Sequence, residues 1–180
     1  MQAIISRLDP NTSEIVSDLW QKLYDECGLN AIYTIPTPHV TWFAADKIDL
    51  DHSLASLSEI ASEAKPFTLH TFGLGIFSGE KPVLYLPMVK TLEMIHLHCN
   101  IWEKIEPYAK AEKLYYSPKM WVPHITLALK DLTRENMACA VNAISFDPIE
   151  LYVVIDNLIV AEYEETSLGE LLFQYNFNGK

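Results

Sequence analysis

Positive charge is scarce in this chain: 13 Lys and Arg side chains stand against 24 Asp and Glu, a formal charge of −11. A surface of that sign repels a long polyanion, and proteins that track nucleic acid usually carry a basic stripe or patch. Long RNA or DNA is therefore not the expected partner, whereas a short anionic ligand needs only one local positive site. Cysteine is scarcer still. Cys27, Cys99 and Cys139 are odd in number and show no CxxC spacing, which argues against a disulfide framework and against a thiolate zinc site, and fits a reducing cytosol. Long apolar runs are missing too. No stretch approaches a membrane span, and Met1 to Asp9 lacks the apolar core of a secretory signal, so the expected compartment is the cytoplasm. There is no linker, low-complexity segment or short-period repeat. What remains is 49% apolar and 21% charged, the profile of a globular chain with a substantial core.

Two short strings carry the chemistry. Pro38-His39-Val40-Thr41 and Pro123-His124-Ile125-Thr126 share Pro, His, a β-branched residue and Thr at the same spacing. In an extended strand alternate side chains share a face. Each string therefore presents an imidazole and a hydroxyl side by side and turns Val40 or Ile125 the other way. With average Pro usage of about 5%, two chosen histidines both follow Pro by accident roughly once in 400 cases, before the shared Thr is counted. The strings lie close to half a chain apart, as expected if two similar lobes each lend one strand to a shared cleft. Two facing imidazoles there can serve as general acid and general base, because histidine titrates near 6.5. Thr41 and Thr126 are the candidate hydroxyl donors beside them.

The duplicated His-x-Thr-x with apolar x resembles the signature of the two-histidine phosphoesterase superfamily, which includes bacterial 2′-5′ RNA ligases and cyclic nucleotide phosphodiesterases. The resemblance extends over Val83-Leu84-Tyr85-Leu86, the Leu- and His-bearing helix from Leu92 to His98, and Ser117 to Val122, most of the span from Pro36 to Leu129. One departure stands out: many members of the ligase branch carry an Arg soon after the second motif, where this chain reads Leu127-Ala128-Leu129-Lys130. The resemblance implies a metal-independent hydrolase of a 2′,3′-cyclic phosphate or 2′-5′ phosphodiester in a small nucleotide or RNA end, with Thr41 and Thr126 donating to the nonbridging oxygens of the phosphate and no cofactor needed; a monomer is expected. A phosphate-binding module without turnover and a reversible 2′-5′ RNA ligase are the alternatives.

Hydrophobic periodicity places helices over Ser13 to Cys27, ended by Gly28, and over Asp51 to Ala64, Thr91 to Tyr108 and Thr133 to Ile144. Strands are expected over Gln2 to Leu8, His39 to Phe43, Phe67 to Phe77, Val83 to Met88, His124 to Leu129, Ile149 to Glu162 and Glu170 to Phe177. The fold class is α+β: one pseudo-symmetric, two-lobed domain over residues 1–180, with antiparallel sheets flanking a central cleft and helices outside. Tyr115, Tyr116 and Lys130 are candidate substrate contacts, since a base stacked on an aromatic face gains about 1 to 3 kcal/mol. Trp42 and Trp121 read as core, His96 and His98 as helix packing or surface, His70 as a structural strand residue, and Glu162 to Glu165 as a solvated acidic face. No further His or carboxylate at ligand spacing accompanies either motif, so no metal site is expected.

Overall fold

A computed structural model describes residues 1–163 and 169–179. In chain order the elements are β1 (Gln2–Arg7), α1 (Pro10–Cys27), β2 (His39–Ile48), α2 (Leu50–Glu63), β3 (Phe67–His70), β4 (Gly75–Phe77), β5 (Val83–Pro87), α3 (Leu92–Ile105), β6 (Ala109–Glu112), β7 (His124–Ala128), α4 (Met137–Ile144), β8 (Tyr152–Ile155), β9 (Asn157–Glu162) and β10 (Glu170–Asn176). Local chemistry sets the helix ends. Asp9 accepts the Thr12 N–H at the start of α1 with Pro10 in the first turn, and Gly28 ends that helix at φ 71, a left-handed geometry that glycine adopts without steric cost. Thr91 caps α3 by accepting the Met94 N–H.

All strand pairings are antiparallel. The main sheet runs β10-β9-β1-β2-β7-β5-β4, with β6 extending β2, and β3 pairs with β8 in a separate two-stranded sheet. The expected α+β class with antiparallel sheets is what the chain adopts. The two lobes meet within one sheet, because the motif strands β2 and β7 are direct neighbours joined by one register pair, Val40 with Ile125. On one side of that seam β1 pairs with β2, α1 lying between them in sequence; on the other β5 pairs with β7, with α3 between. Val40, Trp42, Leu84, Leu86, Ile125 and Leu127 are buried in the large core on one face. On the opposite face a smaller cluster of Ala3, Ile5, Ala44, Ile159 and Ala161 is covered by Tyr116 and Tyr163.

Three sequence expectations need correction. Cys27 and Cys139 form a disulfide with Cα atoms 5.8 Å apart. They lie 112 residues apart, so motif spacing could not reveal the pair; the packing of α1 against α4 brings them together. Only Cys99 is free, and the cysteine count no longer argues for a reducing compartment. Second, Phe67 to Phe77 is not one strand: Phe67–His70 joins β8 and Gly75–Phe77 joins β5, with Gly73 at φ 73 in the turn between. Third, Ala109 to Glu112, unassigned in the sequence, forms β6 on the far end of β2. Ile149 to Glu162 divides into β8 and β9, and helix α4 starts four residues later than Thr133. Glu164 and Glu165 lie outside the described residues. No helix among the described residues is long and apolar enough to cross a membrane.

Candidate active site

The Val40–Ile125 pair fixes the geometry of the cleft. In an antiparallel pair a local two-fold axis passes between the strands, and opposed residues share a face. Continuing that register sets His39 across from Thr126 and Thr41 across from His124. Both imidazoles and both hydroxyls therefore project from the face that Val40 and Ile125 leave, a consequence of the two-residue repeat of the strand.

The backbone holds both rings the same way. His39 Nδ1 lies 2.8 Å from the Thr37 carbonyl, and His124 Nδ1 lies 2.7 Å from the Val122 carbonyl. A carbonyl oxygen only accepts, so each Nδ1 carries the hydrogen and each Nε2 is the titrating nitrogen. The two strings thus arrive at the same tautomer from the same local fold. The motif threonines are braced alike: Trp121 Nε1–H donates to the Thr41 carbonyl and Trp20 Nε1–H to the Thr126 carbonyl, both at 3.0 Å. Trp121 is packed in turn between Trp42, 5.3 Å away, and His98, 3.8 Å away between ring centroids. This bears out Trp42 and Trp121 as core residues. His98 is 2% exposed and its Nε2 bonds the Tyr116 carbonyl at 2.9 Å, so this helix histidine shapes the wall of the site. His96 is exposed on α3, and His70 stacks on Tyr152 in the small sheet.

Burial favours the neutral form of both imidazoles. Burial pushes His39 down to about 4, the Thr37 carbonyl opposing this and His124 adding to it. Burial likewise lowers His124, against the Val122 carbonyl. An anion placed between the rings would favour their charged forms and oppose these shifts.

Beyond His124 the face is aromatic. Phe77 meets its ring edge-on at 4.9 Å and Tyr85 lies 5.2 Å away. A cavity of about 500 Å³ opens there, lined by His124 and Thr126 together with Tyr115, Tyr116, Met120 and Phe77 among others. Tyr115 and Tyr116, singled out from the sequence, are thus beside the second motif, with Tyr115 59% exposed. Lys130 is exposed at φ 69 past the end of β7 and is not among the residues lining this cavity; six residues of strand from His124 is about 20 Å.

Sequence reasoning missed Tyr163. Its hydroxyl stands 3.3 Å from His39 Nε2, and burial, then the nearby Tyr116, pushes its own titration far up, so it stays a phenol and a donor. The alternation Asn157, Ile159, Ala161, Tyr163 along β9 was the available signal, because it sets Tyr163 on the same face as Ile159 and Ala161. Among the described residues no three His, Cys, Asp or Glu side chains gather as a metal site.

A model of the 2′-5′ RNA ligase superfamily matches residues 9–166. A Bacillus cytotoxicus protein provisionally named a phosphoesterase is 32% identical over 101 residues, 54% of this chain and 55% of its own length. A Bacillus cereus protein of the same provisional name is 31% identical over 102 residues, 53% of each chain. These matches thus span about half the length of the curated relatives. Among solved structures, TT0787 of Thermus thermophilus superposes with a TM-score of 0.65 at 16% identity, covering 99% of this chain and 98% of that one. Escherichia coli LigT complexed with NADP+ gives 0.61 at 14% identity, with 98% and 96% covered. At such identities the likeness concerns the fold.

Proposed function

The chain belongs to the 2′-5′ RNA ligase superfamily, and from that premise and the cleft geometry we propose that it is a phosphoesterase. It opens a 2′,3′-cyclic phosphate or 2′-5′ phosphodiester of a small nucleotide or RNA end by two-histidine acid-base catalysis. The observation that carries this reading is the matched pair of Nδ1-anchored imidazoles related across the Val40–Ile125 pair. In hydrolysis of the cyclic ester, water attacks phosphorus and gives its proton to one neutral Nε2. The P–O bond on the opposite side breaks, and the second imidazole, protonated, delivers its proton to the departing ribose oxygen. Run backward, the same two steps exchange the roles of the rings. Thr41 and Thr126 hydroxyls donate to the nonbridging oxygens, where negative charge grows.

Other features support a nucleotide as occupant. The cavity beside His124 is within the usual size of a small-ligand pocket, and its aromatic lining suits a base of any identity. LigT, a neighbour in fold, is a complex with NADP+, itself a nucleotide. The acidic overall charge favours hydrolysis over ligation, which must hold two polyanionic ends. Turnover of 2′,3′-cyclic mononucleotides and of 2′-5′-linked dinucleotides in EDTA tests the reading, with the product esters identified by phosphorus NMR. A metal-free monoester product is expected; no turnover of either class, or activity that EDTA abolishes and Zn²⁺ or Mn²⁺ restores, would sink it.

A further inference from the structure

The pseudo-two-fold axis relates the two motifs but not their neighbours. Across from His124 on the adjoining strand stands Pro87, and across from Thr126 stands Tyr85. In the first lobe the places equivalent by register hold Arg7, across from His39, and Ile5, across from Thr41. One arm of the cleft face is therefore apolar and aromatic, and the other begins with a guanidinium. Arg7 is one of only two arginines in a chain of net charge −11.

The row that starts at His39 continues as polar side chains across three further strands. Arg7 follows on β1. Asn157 on β9 is next, clasping the Arg7 backbone: it accepts the Arg7 N–H at 3.0 Å and donates to the Arg7 carbonyl at 3.0 Å. Asn176 on β10 pairs with Asn157 in register. Gln174 accepts from the Arg7 guanidinium at 3.5 Å and donates to Asn176. Arg7, Thr37, Asn157, Gln174 and Asn176 line a groove of about 530 Å³ at this end of the sheet. Thr37 is the residue whose carbonyl holds the His39 ring, so groove and catalytic strand are contiguous. The groove also contains two carboxylates, both engaged: Asp9 accepts from Thr12 and Val154, and Asp156 accepts the Asn157 amide. Among the described residues Arg7 has no ion-pair partner. A guanidinium offers five donors in a fixed fork, and its weak contact to Gln174 uses one nitrogen.

Resting on the phosphoesterase reading, we propose that Arg7 and the Gln174–Asn176 amides form a subsite for a second phosphate of the substrate. Neighbouring strands are about 4.8 Å apart, so Arg7 stands one strand from His39 with its side chain reaching two strands outward, a reach on the scale of one nucleotide step. The ligand class that fits both arms is an oligonucleotide end. Its terminal phosphate lies between the histidines, a base or sugar in the aromatic cavity past His124, and the neighbouring phosphodiester against Arg7. A mononucleotide fills only the first two places.

The test compares a 2′,3′-cyclic mononucleotide with a dinucleotide ending in a 2′,3′-cyclic phosphate, for the unmodified protein and for Arg7→Gln and Arg7→Lys. Arg7 is exposed and its side chain has that single partner, so both variants should fold. The dinucleotide should have the lower KM, and Arg7→Gln should raise that KM about tenfold, a charge-assisted contact partly screened by solvent, with kcat and the mononucleotide unchanged. Arg7→Lys should restore part of the difference. An equal effect on both substrates, or none on the dinucleotide, overturns the subsite while leaving the phosphoesterase reading intact. Calorimetric binding of a nucleoside 3′-phosphate and of a dinucleotide 3′-phosphate separates the opposite case. An affinity advantage of the dinucleotide that Arg7→Gln removes upholds the subsite even if nothing is turned over, and no such advantage overturns it.

Discussion

The pH dependence of the reaction follows from two imidazoles that are both hard to charge. Catalysis requires the singly protonated pair, one Nε2 with a lone pair and the other with a proton. In the free protein burial holds His39 at about 4 and lowers His124 from its ordinary value. As the rings sense each other, the two steps belong to the pair. The singly protonated form then peaks on the acid side of neutrality, and the neutral pair dominates the free protein at pH 7. The profile of kcat/KM, which reports the free protein, should therefore be a bell with its maximum on the acid side of neutrality and a falling limb below pH 6.5. The kcat profile reports the complex, where the bound phosphate favours both charged forms, so its limbs should move to higher pH. Steady-state rates from pH 4 to 9, with a proton-NMR titration of the His39 and His124 Cε1 hydrogens, measure both. A kcat/KM maximum above pH 7.5, or a His39 resonance titrating at 6.5 or higher in the free protein, would refute the burial of the pair, and kcat limbs no higher in pH than those of kcat/KM would refute the handover to phosphate.

Three further outcomes rest on single contacts. Because the Thr37 carbonyl fixes the His39 tautomer, the Tyr163 hydroxyl donates to neutral Nε2; Tyr163→Phe should raise the His39 pKa by about half a unit, as loss of a long hydrogen bond warrants, and NMR titration of the variant reads this directly. His98, held at about 4 by burial, titrates near 6.5 once unfolded. The folded state then binds fewer protons than the unfolded chain between those values, so its contribution is complete above pH 6.5 and falls by about 3 kcal/mol as pH drops toward 4. His98→Phe, which keeps an aromatic ring against Trp121, should show a smaller loss of denaturant stability between pH 7 and 4.5 than the parent, and an identical loss would contradict the assignment. Finally, the Cys27–Cys139 crosslink spans 112 residues and should stabilise the chain by at most about 5 kcal/mol on loop entropy. The Cys27→Ser, Cys139→Ser pair should unfold at lower denaturant, and an unchanged midpoint in oxidising buffer would show that the bond contributes nothing.

The two His-Thr strings were legible because their information is local. The alternation of a strand fixes which of His39, Val40 and Thr41 share a face, and the repetition of the string 85 positions later, 124 − 39, supplied the partner. The seam between lobes was not legible, since nothing in either string says that Val40 and Ile125 pair. Residues reached across the sheet were likewise hidden. Tyr163 comes from the end of β9 and Arg7 from the end of β1, and their significance rests on register, which one sequence does not display. Phe67 to Phe77 misled for a related reason. Its apolar content suits a strand throughout, but Gly73 turns the chain, and buried Thr71, bonded to Ile149 and Leu151, ties the crossing to a distant segment. Tyr115 and Tyr116 could be guessed at because they precede the second motif closely. Met120 and Phe77, which share their cavity, carried no such marker.

The two-imidazole mechanism is tested most directly by a double-mutant cycle, with turnover of a 2′,3′-cyclic mononucleotide measured in EDTA for the parent, His39→Ala, His124→Ala and the double variant. Each single change should lower kcat by ~10² to 10⁴, the contribution of a positioned general acid or base. The double change should cost far less than the product of the two, because the rings act as one unit on one phosphate. Parent-like turnover in either single variant, or losses that multiply, would contradict the mechanism.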